Sequence, residues 1–333
     1  MRILILGGTA FLSAEIARQA LAAGHTVTCL ARGSAATPPD GTVWLKADRT
    51  QGMQAYEEAA GNWDAVIDVT RDPEQARDAL ELLAPAAAHW TTVSSCSVYA
   101  DHSVPGEDES AALLPPLAPG IAFAPENYGE AKSAIEQRAV ALAGTKAHLC
   151  RAGLIGGPGD GTDRYGYWPA RYSRGAGPVL VPDIGGSATQ IIDVRDLAAW
   201  ILKAAALKIT GPLNAVGSVV PFRDYLDESM RLAGYDGRSI TVSEDWLVAR
   251  GIAYWAGKDS LPLWLPPGHD GFAARSNAAA IAAGLTFRPW QETLRDTLDD
   301  ERGRGLDRAR KAGLSEETEK RLVAEFQAAG TSS

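Results

Sequence analysis

Tyr128 and Lys132 stand four residues apart in the stretch Tyr-Gly-Glu-Ala-Lys, inside a run of helical character from Asn127 to Leu142. That spacing puts a phenol and an ammonium on one helical face. The positive neighbour favours the phenolate, so the pair can give a proton to an alkoxide and take it back. Upstream, Val93-Ser94-Ser95-Cys96-Ser97-Val98-Tyr99 ends a strand-like run, and the Ser95 hydroxyl is suited to holding a reacting oxygen. A different chemistry is written in Gly7-Gly8-Thr9-Ala10-Phe11-Leu12-Ser13, between a first strand and a first helix. Free N–H groups and the positive end of the helix dipole make that junction a phosphate site. Glycine is favoured there because side chains block close backbone approach. In a GxxGxxG pattern, Ala10 and Ser13 occupy the second and third glycine places. Both are small, so phosphate binding is expected to survive, weaker or slightly shifted.

These groups need elements to hold them. Arg2–Leu6, Thr26–Ala31, Val43–Ala47, Ala65–Val69, His89–Ser94 and His148–Ala152 read as short strands. Helical patterns alternate with them: Leu12, Ile16, Ala20 and Leu21 recur at helical spacing, and Asp72-Pro73 opens a helix through Leu83 with a capping Asp. The alternation predicts an α/β fold with a doubly wound parallel sheet of Rossmann type. After Arg151 the texture changes to Gly, Pro and aromatics, then a helix over 193–207 and a strand over 212–216. We expect a nucleotide-binding core over 1–154, to which 186–217 returns. A smaller interleaved substrate lobe is expected over 155–185 and 218–290, and a charged helical tail over 291–333.

Composition narrows the field. The chain has 333 residues, 46% hydrophobic and 22% charged, with 32 basic against 41 acidic side chains and a net charge of −9. Such a surface disfavours nucleic acid as a partner. Cys29, Cys96 and Cys150 have no metal or disulfide spacing, and the five histidines are scattered, so no metal site is expected. The cysteines read as reduced residues of a cytoplasmic protein. The first apolar run is too short for a signal sequence and no stretch is long enough for a membrane span.

The end of the second strand bears on the choice of nucleotide. An acid there suits the ribose hydroxyls of NAD. The sequence has Leu30-Ala31-Arg32-Gly33-Ser34, and Arg32 with Ser34 can bind a 2′-phosphate, so NADP(H) is favoured over NAD(H). Asp48, after the third strand, is placed to accept from the adenine amine.

The ordered set of glycine turn, SSxSVY strand end and YxxxK resembles the extended short-chain dehydrogenase/reductases, the NAD-dependent epimerase/dehydratase family. The resemblance covers roughly residues 1–217. It includes Arg151–Pro158 and Gln190-Ile-Ile-Asp-Val-Arg-Asp-Leu. It implies that Ser95 orients the substrate oxygen, that Tyr128 is the general acid/base, and that Lys132 binds the nicotinamide ribose and tunes the Tyr. It also implies that Gly7, Thr9, Ala10, Phe11, Leu12 and Thr70 line the cofactor path. Members often dimerise through two helices per subunit, here Pro73–Leu83 and Asn127–Leu142, so a homodimer is expected.

Departures from the family pattern narrow the chemistry further. The 4,6-dehydratases of the family carry Asp-Glu where this chain has Cys96 and Ser97. The 3,5-epimerases place a catalytic Cys where Ser97 stands. Cys96 is one position out of register and, in a strand, would face the other way, as a packing residue. The Arg that grips a nucleotide-sugar diphosphate aligns with Thr189, and its adjacent Asp with Gln190. What remains is hydride transfer at a ketone or secondary alcohol of a small, partly apolar metabolite. An epimerase working by transient oxidation and a non-catalytic NADP-binding regulator are the alternatives. Tyr165, Tyr167, Trp168, Trp246, Trp255 and Trp264 could line the substrate pocket. Ser97, Tyr167, Trp168 and Gln190 form the expected substrate-facing set.

Overall fold

The alternating pattern becomes a seven-stranded, all-parallel sheet in the computed structural model, which describes residues 1–34, 36–175 and 177–330. The first half runs β1 (Arg2–Leu6), α1 (Phe11–Ala22), β2 (Thr26–Leu30), β3 (Val43–Leu45), β4 (Ala65–Asp68), α2 (Pro73–Leu83), β5 (Trp90–Ser95), α3 (Tyr128–Ala143) and β6 (Ala147–Ala152). The second half adds β7 (Leu154–Gly156), α4 (Tyr167–Ser173), β8 (Val179–Pro182), β9 (Ala188–Asp193), α5 (Val194–Leu207) and β10 (Gly211–Ala215). It ends with β11 (Val219–Pro221), α6 (Phe222–Ala233), β12 (Ser239–Val242), α7 (Glu244–Val248), α8 (Ala278–Ala282), α9 (Trp290–Arg304) and α10 (Glu316–Gly330). The sheet order is β10-β6-β5-β4-β1-β2-β3. Strand order therefore reverses between β1 and β4, and a crevice opens at their carboxyl ends.

Burial on both faces explains why β1 is a continuous apolar run. Ile3 and Ile5 pack into the layer formed with α1 and α5, whereas Leu4 and Leu6 pack with α2 and α3. All four are fully buried, each contributing about 1.5–3 kcal/mol of transfer free energy. Asp72 caps α2, accepting from the backbone N–H of Glu74 and Gln75, with Pro73 in the first helical position. The boundaries follow the sequence pattern to within a residue or two. The exception in detail is Cys96: β5 stops at Ser95, and Cys96 starts a 3-10 turn over Cys96–Val98. It is nonetheless sealed beside Val98, Tyr99 and Val216, and burial pushes its thiol up to about 12.

The second half builds its own core. Tyr165, Tyr167, Trp168, Tyr172, Phe222 and Tyr225 are fully buried together. Helices α9 and α10 close over this core through charge as well as packing. Glu301 faces Arg308 and Arg310 at 2.9 and 2.7 Å, and Glu319 pairs with Arg171.

Candidate active site

The glycine turn sits at the crevice because β1 ends there. Gly7 donates its N–H to Leu30 O at 2.9 Å, tying the turn to β2. Gly8 has φ +105°, and a Cβ there would fall 2.4 Å from Cys29 Sγ. Both conformation and space therefore demand glycine. Thr9 and Phe11 are half-buried, Ala10 is exposed and Leu12 is buried. Ala10 precedes α1 and supplies no side-chain cap, so no side chain covers the first N–H groups of the helix. Ser13, in the third glycine place, is turned inward: its Oγ donates to Ala10 O at 2.8 Å. A Cβ on Gly7 would stand 3.3 Å from that oxygen, so helix and strand still pack closely.

Two cavities, of about 370 and 270 Å³, lie along the crevice. The first is lined by Gly7, Arg32, Asp48 and Thr70, the second by Ala10, Phe11, Leu12, Ser95, Tyr128 and Lys132. In the first, the Arg32 side chain is 59% exposed and lies 3.8 Å from Asp48. Asp48 is busy elsewhere: it accepts from Thr50 N and Oγ1 at 3.0 and 2.9 Å, bonds that hold its carboxyl below the usual range. The pairing with Arg32 is loose and open to exchange for an anion. Ser34 is exposed two residues further on. Between them Gly33, at φ +72°, makes room for Trp44, whose indole N–H donates to Ala31 O at 3.0 Å and fixes this end of β2.

In the second cavity the end of β5 meets the start of α3. A Cβ on Gly129 would lie 2.4 Å from Ser97 O, so the glycine between Tyr128 and Lys132 permits this close approach. Ser95 Oγ accepts from Ser97 N and donates to Ser97 Oγ, both at 3.1 Å. Burial raises the Tyr128 phenol, and a hydrogen bond with Ser95 opposes that rise. Lys132 is fully buried and donates to Thr70 O and Val93 O, each at 2.6 Å. Among the described residues no carboxylate is paired with it, and burial pushes its ammonium down to about 8. Thr70 is itself fixed, its N–H donating to Asp68 Oδ1 at 3.0 Å. The arrangement holds a protonated phenol beside a hydroxyl, with a cation behind it. That is the equipment for proton transfer to or from a carbinol oxygen.

Three residues of the expected substrate-facing set lie elsewhere. Tyr167 and Trp168 are sealed in the second core: Trp168 Nε1 donates to Pro262 O at 2.7 Å, and Tyr167 packs on Gly313. Their loop does follow a strand, but α4 turns these rings inward. Gln190 is also structural. Its amide donates to Gly217 O and Arg275 O and accepts from Arg275 N, at 2.9–3.0 Å, which satisfies it completely. Tyr165 and Trp264 are core residues as well, and Trp246 packs against Phe326. Ser97 stays beside Ser95.

Two arginines missing from the sequence-based set border the site. Arg71 lines both cavities. Arg164 stacks its guanidinium 5.1 Å from the ring centre of Trp255 and acts electrostatically on Tyr128. Its loop returns toward the cofactor turn, since a Cβ on Gly159 would stand 3.8 Å from Phe11. The one signal available in the sequence was position, just beyond strand carboxyl ends.

A seven-stranded doubly wound sheet with a Ser, Tyr and Lys gathered at its switch point defines an extended short-chain dehydrogenase/reductase fold. The pattern of the NAD dependent epimerase/dehydratase family matches residues 3–215, and the chain belongs to that family. A 2′-dehydrokanamycin reductase of Streptomyces kanamyceticus is 28% identical over 259 residues, covering 74% of this chain and 70% of that protein. Among solved structures, the UDP-N-acetylglucosamine 4-epimerase of Bacillus cereus superposes with a TM-score of 0.68 at 14% identity, over 93% of this chain and 98% of that one. The UDP-glucose 4-epimerase of Thermus thermophilus, in complex with NAD, gives 0.64 at 18% identity, over 91% and 99%. No helix among the described residues is long and apolar enough to cross a membrane.

Proposed function

We propose that the protein is an NADP(H)-dependent reductase acting on a ketone of a small metabolite, reversibly with the corresponding secondary alcohol. The observation that carries this reading is the convergence of Ser95, Tyr128 and Lys132 on a cavity continuous in direction with the one that Arg32 borders. The glycine cradle that a Cβ would fill and the uncapped start of α1 fit a dinucleotide. The bound nicotinamide supplies the hydride. Ser95 holds the carbonyl oxygen, and Tyr128, kept protonated by burial, gives its proton to the oxygen as it becomes an alkoxide. Lys132 stabilises the phenolate left behind. Arg32 and Ser34 select the 2′-phosphate, and Asp48 faces the adenine. Arg164 and Trp255 form the substrate-side wall, in place of Tyr167 and Trp168.

The second reading is an epimerase that oxidises and re-reduces one carbinol on a retained cofactor, which the epimerase neighbours favour. Against a nucleotide-sugar substrate stands Gln190, whose amide is fully engaged within the protein. A homodimer through α2 and α3 accompanies both readings; exposed Val140 and Leu142 on α3 are available to it. Sedimentation at micromolar concentration should give twice the chain mass. The decisive assay follows NADPH oxidation against a ketone panel, with the cofactor content of the purified protein measured beside it. Turnover that requires added NADPH supports the reductase. Tightly held cofactor with no requirement for more supports the epimerase.

A further inference from the structure

Four cations line the two cavities, two of them held by close hydrogen bonds within the protein and a third loosely paired. Lys132 is held by the carbonyls of Thr70 and Val93. Arg49 makes a bidentate pair with Asp68 at 2.8 and 3.0 Å. Arg32 has Asp48 as its neighbour. Arg71 is different. It is exposed, and among the described residues it makes no hydrogen bond and no ion pair. Its guanidinium rests 6.0 Å from the centre of the Phe123 ring, which in turn stands edge-on to Tyr128 at 6.5 Å between centres.

Its position is as informative as its freedom. The two cavities share Val69 and Arg71 in their linings, so Arg71 is the charged residue common to both. It follows Thr70 just past the carboxyl end of β4, across the switch-point crevice from the glycine turn. A dinucleotide that fills both cavities must cross from one to the other by its diphosphate, which carries two negative charges. At that crossing the backbone turn has two of its glycine places changed, and the whole chain carries a net charge of −9. An unpaired planar guanidinium there matches a diphosphate in charge and in bidentate geometry.

We propose that Arg71 is the diphosphate-binding cation of this protein, leaving its Phe123 contact to grip the cofactor from the β4 side while the N–H groups of the glycine turn grip it from the β1 side. The assignment rests on the nicotinamide-cofactor reading above. It adds a ligand contact from a side chain to a site otherwise built from backbone.

The test is a set of binding titrations on the full-length protein, by calorimetry and NADPH fluorescence, with Arg71→Gln and Arg71→Lys beside the wild type. Three probes divide the cofactor: NADPH, 2′-phospho-ADP-ribose, which keeps the diphosphate but lacks nicotinamide, and 2′-AMP, which lacks the diphosphate. Arg71→Gln should weaken the first two by about 10- to 100-fold, the loss of a charge-assisted contact. Binding of 2′-AMP should stay within about twofold of wild type. Arg71→Lys should recover part of the loss, because charge returns without the fork. Equal NADPH binding by Arg71→Gln and wild type overturns the Arg71 assignment alone. A loss extending equally to 2′-AMP overturns it too, since that places the effect at the adenosine end or in the fold. A wild type that binds none of the three overturns the cofactor reading, and the assignment with it.

Discussion

The crevice and the seam beneath α9 and α10 use the same kind of side chain in opposite ways. At the seam guanidinium meets carboxylate: Arg308 and Arg310 share Glu301, and Arg171 has Glu319. Arg288 sits 2.8 Å from Asp196, and Arg195 2.7 Å from Asp193. At the crevice Arg49 is likewise paired, with Asp68, but among the described residues Arg71 and Lys132 have no carboxylate within ion-pair distance, nor has Arg164, and Arg32 has one at 3.8 Å. The two regions differ in where charge is left unspent. A paired guanidinium holds two segments together, whereas an unpaired one at a cavity wall is available to a ligand. The net charge of −9 hides this local arrangement entirely.

The contrast can be broken or sharpened by mutation. The largest effect is expected at the crevice. Tyr128→Phe should lower kcat by about 10²–10⁴-fold, the usual worth of a general acid, with NADPH affinity retained. Steady-state assay with parallel binding measurement checks both halves, and full activity in this variant would sink the proposed mechanism. At the seam, Glu301→Ala should cost about 3 kcal/mol of stability by leaving the arginine cluster short of its main acceptor, and NADPH affinity should hold. Denaturant unfolding reads the first, titration the second. Loss of cofactor binding without loss of stability would reverse the roles assigned to the two regions.

Smaller effects follow. Arg32→Ala should weaken NADPH by about tenfold and leave NADH nearly unchanged, narrowing the preference between the two. Lys132 gives a pH signature. Its ammonium titrates near 8, below the ordinary 10.5, because burial disfavours the charge. The cation proposed to stabilise the forming phenolate is present below that value and lost above it. The rate of ketone reduction should therefore fall as pH rises through about 8. In Lys132→Met the rate should be low throughout and lack that inflection. The smallest expected change is in Arg164→Gln, a rise of about fivefold in the KM for the ketone with kcat little altered, which would mark Arg164 as a substrate contact.

Much of this was legible in residue order. Period and punctuation located the strands and helices: β1, buried on both faces, is an apolar run, and Asp72-Pro73 marks the start of α2. The spacing of Tyr128 and Lys132 foretold a shared helical face, and Ser95 followed from its place at a strand end. What was not legible depended on partners far away in sequence. Tyr167 and Trp168 look like pocket residues until α4 turns them into a core shared with Phe222 and Tyr225. Gln190 looks like a ligand contact until Gly217 and Arg275 claim its amide. Arg71 and Arg164 resemble any other arginine until the fold shows that, among the described residues, neither is in an ion pair and each rests on an aromatic ring. Pairing is a property of the fold, and the sequence carries no local mark of it.

The pairing of Arg171 with Glu319 also sets an order of events. The two lie 148 positions apart, and the Glu319 carboxylate in addition accepts from the N–H of Leu180. During synthesis the seven-strand sheet has all its strands once Ala215 has emerged. The second core must wait more than a hundred residues longer for the carboxylate that neutralises its buried guanidinium. Every residue that lines the two crevice cavities therefore leaves the ribosome before the carboxylate that completes the second core.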